Sequence, residues 1–329
     1  MMPRMLGRAA FAWVLISAAM SVAAKADTAA QPIYPNRPIK LIVTFPPGGG
    51  TDLIARLLAQ KMTDSIGQPV LVENKGGAGG NIGTEYVAKS PADGYTILFV
   101  APPFVMAPSL YPKLAFDPVK DFAPITLIGS VPMMLVANRS LGVHTLAELI
   151  ALGKAKTDAL AAVSLGSAST QGLAAAQFAS MAKINILLVP YKGSAPGMND
   201  LLAGHIPLMF NALPSTMPHA KSGELIALGV TGSKRSPLAP QVPAIGEVLP
   251  GYEIVTWYGI LAPAGTPQPI VQRLHEELAR AGKLPDVKAK LLELGMELQF
   301  SRPEDFSALI KSELVKWAEV IRQTGVKAD

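Results

Sequence analysis

Two short apolar runs near the start of this chain, residues 39–44 and 69–73, each end in a cluster of glycines that leads into a segment of helical periodicity. The first cluster is Phe45-Pro46-Pro47-Gly48-Gly49-Gly50-Thr51-Asp52 and the second is Gly76-Gly77-Ala78-Gly79-Gly80-Asn81-Ile82-Gly83. A strand that hands over to a helix through glycine leaves the first helical N–H groups unpaired at the positive end of the helix dipole. No side chain then keeps a ligand away from that backbone. The pattern restricts the fold to alternating strand and helix units and predicts two anion cradles. In right-handed units of this kind the loops leaving the strand carboxyl ends share one sheet edge, so both cradles should face one crevice.

In the first helix Leu53, Ile54, Leu57, Leu58, Met62 and Ile66 fall on one face, with Thr51 or Asp52 able to cap the start and Gly67 the stop. A second helix opens near Asn81, and residues 95–100 read as a third strand. Residues 101–124 lose periodicity and gather prolines, which predicts a long irregular connection. Residues 125–130 and 133–138 then read as strands leaving a first lobe, and Thr145-Leu146-Ala147-Glu148 as a capping box. A second alternating series follows, with strands at 161–165, 186–191, 206–210 and 225–231. Small polar loops follow the first three, at 166–170, 192–197 and 211–216. Residues 252–261 read as a strand carrying the chain back. Helices over 267–281, 286–294 and 303–324 close the sequence, the last opened by a Ser301-Arg302-Pro303-Glu304 capping box and ended by Gly325. This order predicts two doubly wound α/β lobes joined by two crossover strands, near 125–130 and 253–261. Residues 27–127 and 256–329 would form lobe 1 and residues 128–255 lobe 2, with a ligand between them.

The first 26 residues read as an export signal: Arg4 and Arg8, an apolar run over 9–20, and the small-residue site Ala24-Lys25-Ala26, with cleavage after Ala26. The run is shorter than the roughly 20 residues a membrane span needs, so the processed protein is expected to be soluble and periplasmic. Removing Arg4, Arg8 and Lys25 lowers the formal charge of +5 to 5 − 3 = +2. No basic cluster remains of the kind nucleic-acid binding requires. With no cysteine in the chain there is neither a lipid-attachment site nor a thiol nucleophile nor a thiolate metal site. Neither glycine loop fits an enzyme motif. The first lacks the Gly-Lys-Ser/Thr ending of a nucleotide P-loop, and the second does not fit G-x-G-x-x-G. The four histidines lack zinc spacing, and no G-x-S-x-G turn occurs. No catalytic residue, metal ligand or cofactor is predicted; a Ser-His-Asp set assembled only in three dimensions, as in a secreted hydrolase, is the catalytic alternative.

Several other segments accompany the two loops: Tyr34-Pro35, Ile39-Lys40-Leu41-Ile42-Val43, Val72-Glu73-Asn74-Lys75, Pro91-Ala92-Asp93-Gly94-Tyr95-Thr96, Asp121-Phe122-Ala123-Pro124, Tyr191-Lys192-Gly193 and Trp257-Tyr258-Gly259. With them, essentially the whole mature chain resembles the Bug-type receptors of tripartite tricarboxylate transporters. The resemblance implies a type II periplasmic binding protein, a monomer whose lobes close on a small carboxylate and deliver it to membrane transporter subunits. A sensor that presents its ligand to a signalling partner would use the same fold and cleft. Carried over by position, Gly49, Gly50, Thr51 and Asp52 match the first ligand loop, and Ala78, Gly79, Gly80 and Asn81 the second. Phe45 matches the aromatic against which ligands pack. On the second lobe the contacts are expected at Ser167, Ser169 and Thr170, in a loop less regular than the family's glycine-and-serine pattern, and at Asn211. No arginine falls in these loops, so backbone N–H groups, hydroxyls and bridging waters are expected to recognise the ligand. Asp52 is equally suited to capping its helix. Lys192 reads as an exposed lysine, and Trp257 and Tyr258 as hinge or core packing.

Overall fold

The structure, a computed structural model, describes residues 34–156, 158–165 and 169–326. The expected export signal and Ser167 lie outside the described residues. The fold described below is that of residues 37–326.

It opens with strand β1 (Ile39–Val43), helix α1 (Gly50–Ile66), β2 (Val70–Asn74), α2 (Asn81–Ala88), β3 (Thr96–Val100) and α3 (Pro103–Leu110). β1 lies between β2 and β3, parallel to both, and its residues are almost entirely buried, as expected of a strand with helices on both faces. The long strand β4 (Phe122–Asn138) follows. The second series is α4 (Leu146–Ala155), β5 (Leu160–Ser164), α5 (Thr170–Ala182), β6 (Ile186–Pro190), α6 (Ser194–Ala203), β7 (Leu208–Ala212), α7 (Leu213–Lys221) and β8 (Leu225–Val230). The return strand β9 (Val255–Pro263), helices α8 (Gln268–Lys283) and α9 (Pro285–Glu293), the short β10 (Glu297–Leu298) and helix α10 (Pro303–Thr324) complete it. Strand order along the sheet is β2-β1-β3-β9-β4-β7-β5-β6, with β8 and β10 also paired to β4. The molecule thus has two doubly wound α/β lobes joined by crossover strands. No helix among the described residues is long and apolar enough to cross a membrane.

Three expectations change. The two strands read at 125–130 and 133–138 are one 17-residue strand, because Val131 and Pro132 stay paired with Thr256 and Val255 while β4 passes from one lobe to the other. Part of the connection expected over 101–124 is helix α3, and the polar loop expected at 211–216 gives way to helix α7; Pro103 and Pro214 sit in their first turns, where a missing N–H costs nothing, while Pro108 and Pro218 lie inside them. Burial of Phe104, Val105, Met106 and Ala107 holds α3 in place. Finally, the expected box at Ser301 does not form. Arg302 is the N-cap of α10, and the Ser301 hydroxyl instead accepts the Leu127 N–H at 3.2 Å.

Candidate functional site

The register of the crossover strands brings the glycine loops and the edge of the other lobe to face one gap. β3 runs antiparallel to β9 and ends with Val100 opposite Gly259, which in turn lies opposite Leu127 of β4. β7 runs antiparallel to β4 and ends with Ala212 opposite Met133. The carboxyl ends of the strands in the two lobes therefore point at one another. Measured along β4 from Leu127 to Met133 the gap is about 20 Å at a strand rise of about 3.3 Å per residue. Its floor is formed by residues 128–132 and 255–258, and the glycine loops stand on its first rim.

Helix α1 begins at Gly50, one residue before the expected caps. Gly49 is the N-cap, in extended backbone (φ −81°, ψ 170°), and no side chain bonds the helix start. A Cβ placed at Gly48, Gly49 or Gly50 would meet nothing within 4 Å, so the space beside this stretch of backbone is open. Asp52 is buried within the first turn and accepts from the Gly48 N–H at 3.0 Å, from Arg56 Nε at 2.9 Å and from Asn74 Nδ2 at 2.9 Å. The Arg56 guanidinium leads in holding its pKa down to about 2, against the opposing effect of burial, with Gly48 and Asn74 assisting. Phe45 is half-buried, and its carbonyl accepts from Asn74 Nδ2 at 3.0 Å.

The second loop tightens into a 3₁₀ turn (Ala78–Gly80) before α2 starts at Asn81. Gly80 caps α2 at φ +96°, and a Cβ there would come 3.1 Å from the Thr44 side chain, so this turn requires glycine both for its backbone and for its approach to β1. Pro46 of the first loop lies 3.6 Å from where a Gly76 side chain would begin, so the two loops are in contact. Ala78 and Gly79 are exposed, Asn81 half-buried, and the Tyr111 hydroxyl stands close above Gly79.

On the facing lobe, Ser169 is the N-cap of α5 and accepts the Gly172 N–H at 3.0 Å, with Thr170 the first helical residue. Asn211 is not in a loop: it belongs to β7, is buried, and donates to the Ser215 hydroxyl at 3.1 Å. Lys192 is exposed after β6. Trp257 and Tyr258 point to opposite faces of β9. Trp257 donates to Glu313 of α10 at 3.1 Å, whereas Tyr258 packs on Phe99, with ring centroids 5.8 Å apart, and reaches Thr51 of α1. Burial raises the Tyr258 phenol above its ordinary pKa, and the Thr51 hydroxyl opposes that shift. Asn74 and Arg56 were not expected at the site; the spacing of Asp52 and Arg56, one helical turn apart, is the signal that could have found the second. Among the described residues no group of three or more His, Cys, Asp or Glu side chains could hold a metal ion.

The family described as the tripartite tricarboxylate transporter family receptor matches residues 54–326. The chain belongs to this receptor family. The receptor is 37% identical to the periplasmic binding protein BugD, with a TM-score of 0.71, covering 89% of this chain and 99% of that one. It is 36% identical to Rpa4515 of R. palustris, a structure with adipate, at a TM-score of 0.73 and with 89% and 99% covered. To MatC of Rhodopseudomonas palustris with bound malate it is 32% identical at a TM-score of 0.70, with 88% and 100% covered. The three share the two-lobed fold, and the receptor is a member of a periplasmic solute-binding family.

Proposed function

We propose that this receptor captures a small dicarboxylate between its lobes and, after export and cleavage behind Ala26, delivers it in the periplasm to two membrane subunits of a tripartite transporter. The observation that carries the reading is the pair of touching glycine loops, the first with open space beside Gly48, Gly49 and Gly50, set across a gap from the carboxyl edge of the other lobe. Residues 27–127 and 256–329 would act as one lobe and 128–255 as the other. The ligand would meet Phe45, Gly49, Gly50 and Thr51 on the first loop, Ala78, Gly79, Gly80 and Asn81 on the second, and Ser169, Thr170 and Asn211 opposite, with Ser167 added from its loop. Asp52 would support the first loop through its own hydrogen bonds.

Micromolar affinity requires about 8 kcal/mol. An anion at a helix start gains about 0.3–2 kcal/mol from the dipole, and each charge-assisted hydrogen bond about 1.5–3 kcal/mol, so two loops together with donors of the facing lobe suffice where one loop does not. The adipate and malate of the relatives make dicarboxylates the first class to try. Protein stripped by unfolding and refolding is expected to gain thermal stability with adipate, malate or another member of a mono-, di- and tricarboxylate panel, and to return the ligand chemically unchanged. No stabilisation across the panel would overturn the reading, as would consumption of the ligand.

A further inference from the structure

We propose that Asn74 and Arg56, neither of them in a glycine loop, are positioning residues that hold the two loops as one anion-binding unit, with Asp52 as their shared anchor. The proposal rests on the reading that these loops bind a carboxylate.

Asn74 ends β2, and the chain enters the second glycine loop two residues later. Its side-chain amide reaches the first loop twice, donating to the Phe45 carbonyl at 3.0 Å and to Asp52 Oδ1 at 2.9 Å. Arg56 closes the cycle: Nη2 donates to Asn74 Oδ1 at 3.0 Å and Nε to Asp52 Oδ2 at 2.9 Å, the oxygen that also accepts the Gly48 N–H at 3.0 Å. The cycle ties the first loop to the end of β2, two residues before the second loop begins, and displacing the first loop from that strand end breaks it. Its charge balance matters as well. Asp52 places a carboxylate inside the first turn of the helix meant to receive an anion, and the Arg56 cation beside it cancels the repulsion. Asn74 supplies the only neutral amide of the three, so its role depends on a proton donor of no charge at that point.

The substitution Asn74→Asp tests that dependence directly. At about pH 8 the new carboxylate faces Asp52 and the Phe45 carbonyl without a proton, whereas toward about pH 5.5 two such neighbours share one proton and the donor is restored. Affinity for adipate and malate, measured by calorimetry, is expected to fall at least about tenfold at the higher pH and to recover at the lower, relative to the unsubstituted protein in the same buffers. Affinity equal to the unsubstituted protein at about pH 8, or an equal loss at both values, would overturn the proposal.

If Asn74→Asp does not fold, Arg56→Gln reads the same cycle, since its half-exposed side chain can be shortened without opening the core. An affinity loss of about three- to tenfold that varies with salt is expected, because an uncompensated Asp52 then stands beside the ligand. Unchanged affinity would overturn the proposal. Should the unsubstituted protein bind no carboxylate, the function reading falls while the positioning claim is still tested without ligand. Amide exchange at Gly48 and Leu53 should be faster in Asn74→Asp than in the unsubstituted protein at about pH 8, and equal rates would refute it.

Discussion

At Asp52 the carboxylate is ionised well below its ordinary range, about 2 against 3.8, chiefly through Arg56. A folded-state pKa below the unfolded one contributes stability that is complete above the unfolded value and is lost as pH falls through the folded value. Half-exposure of Arg56 screens the pair, so the contribution is about 1–2 kcal/mol. Urea unfolding at about pH 6 and about pH 2.5 should therefore show the unsubstituted protein losing the greater part of that contribution, which Asp52→Asn lacks, on acidification. Two glycines separate binding from folding more sharply. Gly49 has a φ of −81° and empty space around its Cβ position, so Gly49→Val should keep the melting temperature and weaken carboxylate binding by at least about tenfold, by standing where the ligand approaches. Gly80 has a φ of +96° and the Thr44 side chain at 3.1 Å, so Gly80→Val should instead lower the melting temperature, by strain of about 1–3 kcal/mol. A thermal scan beside a calorimetric titration of each variant checks both outcomes.

Among the elements, α10 is attached to the crossover by a buried carboxylate. Glu313 accepts from the indole N–H of Trp257 on β9 at 3.1 Å and of Trp317 on α10 at 2.9 Å, and Lys316 pairs with it. Glu313→Leu would leave two buried donors without an acceptor, and the expected cost is about 2–5 kcal/mol, measured as a lower urea midpoint with an unchanged slope. How far such elements could be read in the chain depended on what holds them. β1, β2 and the amphipathic α1 are apolar patterns flanked by glycine, and they form where the pattern lies. Helix α3 was hidden because its prolines read as irregular chain, although Pro103 sits in the first turn and burial holds the helix, and α7 because its first residues read as a small polar loop. Asn211 was placed in a loop for its polarity, yet strand pairing with Met134 and a bond to Ser215 keep it in β7. The glycine loops were legible because they are contiguous in sequence. The cycle that shapes them was not, since Asn74 meets Asp52 from 22 residues away, a separation no helical or strand period encodes.

For the whole molecule, two crossover strands joining facing carboxyl edges make a hinge motion the expected response to ligand. Small-angle scattering should show a smaller radius of gyration with saturating dicarboxylate than without, and an unchanged radius would mean that the ligand is held without closure. The same crossover carries an optical consequence. The chain has three tryptophans, and cleavage after Ala26 would remove Trp13, leaving Trp257 and Trp317. Both indoles donate to one carboxylate beside the strand that joins the lobes. The tryptophan fluorescence of a protein so processed, excited at wavelengths that tyrosine does not absorb, would originate at a single point of its structure, and an emission shift during titration would report on the crossover itself without any attached dye.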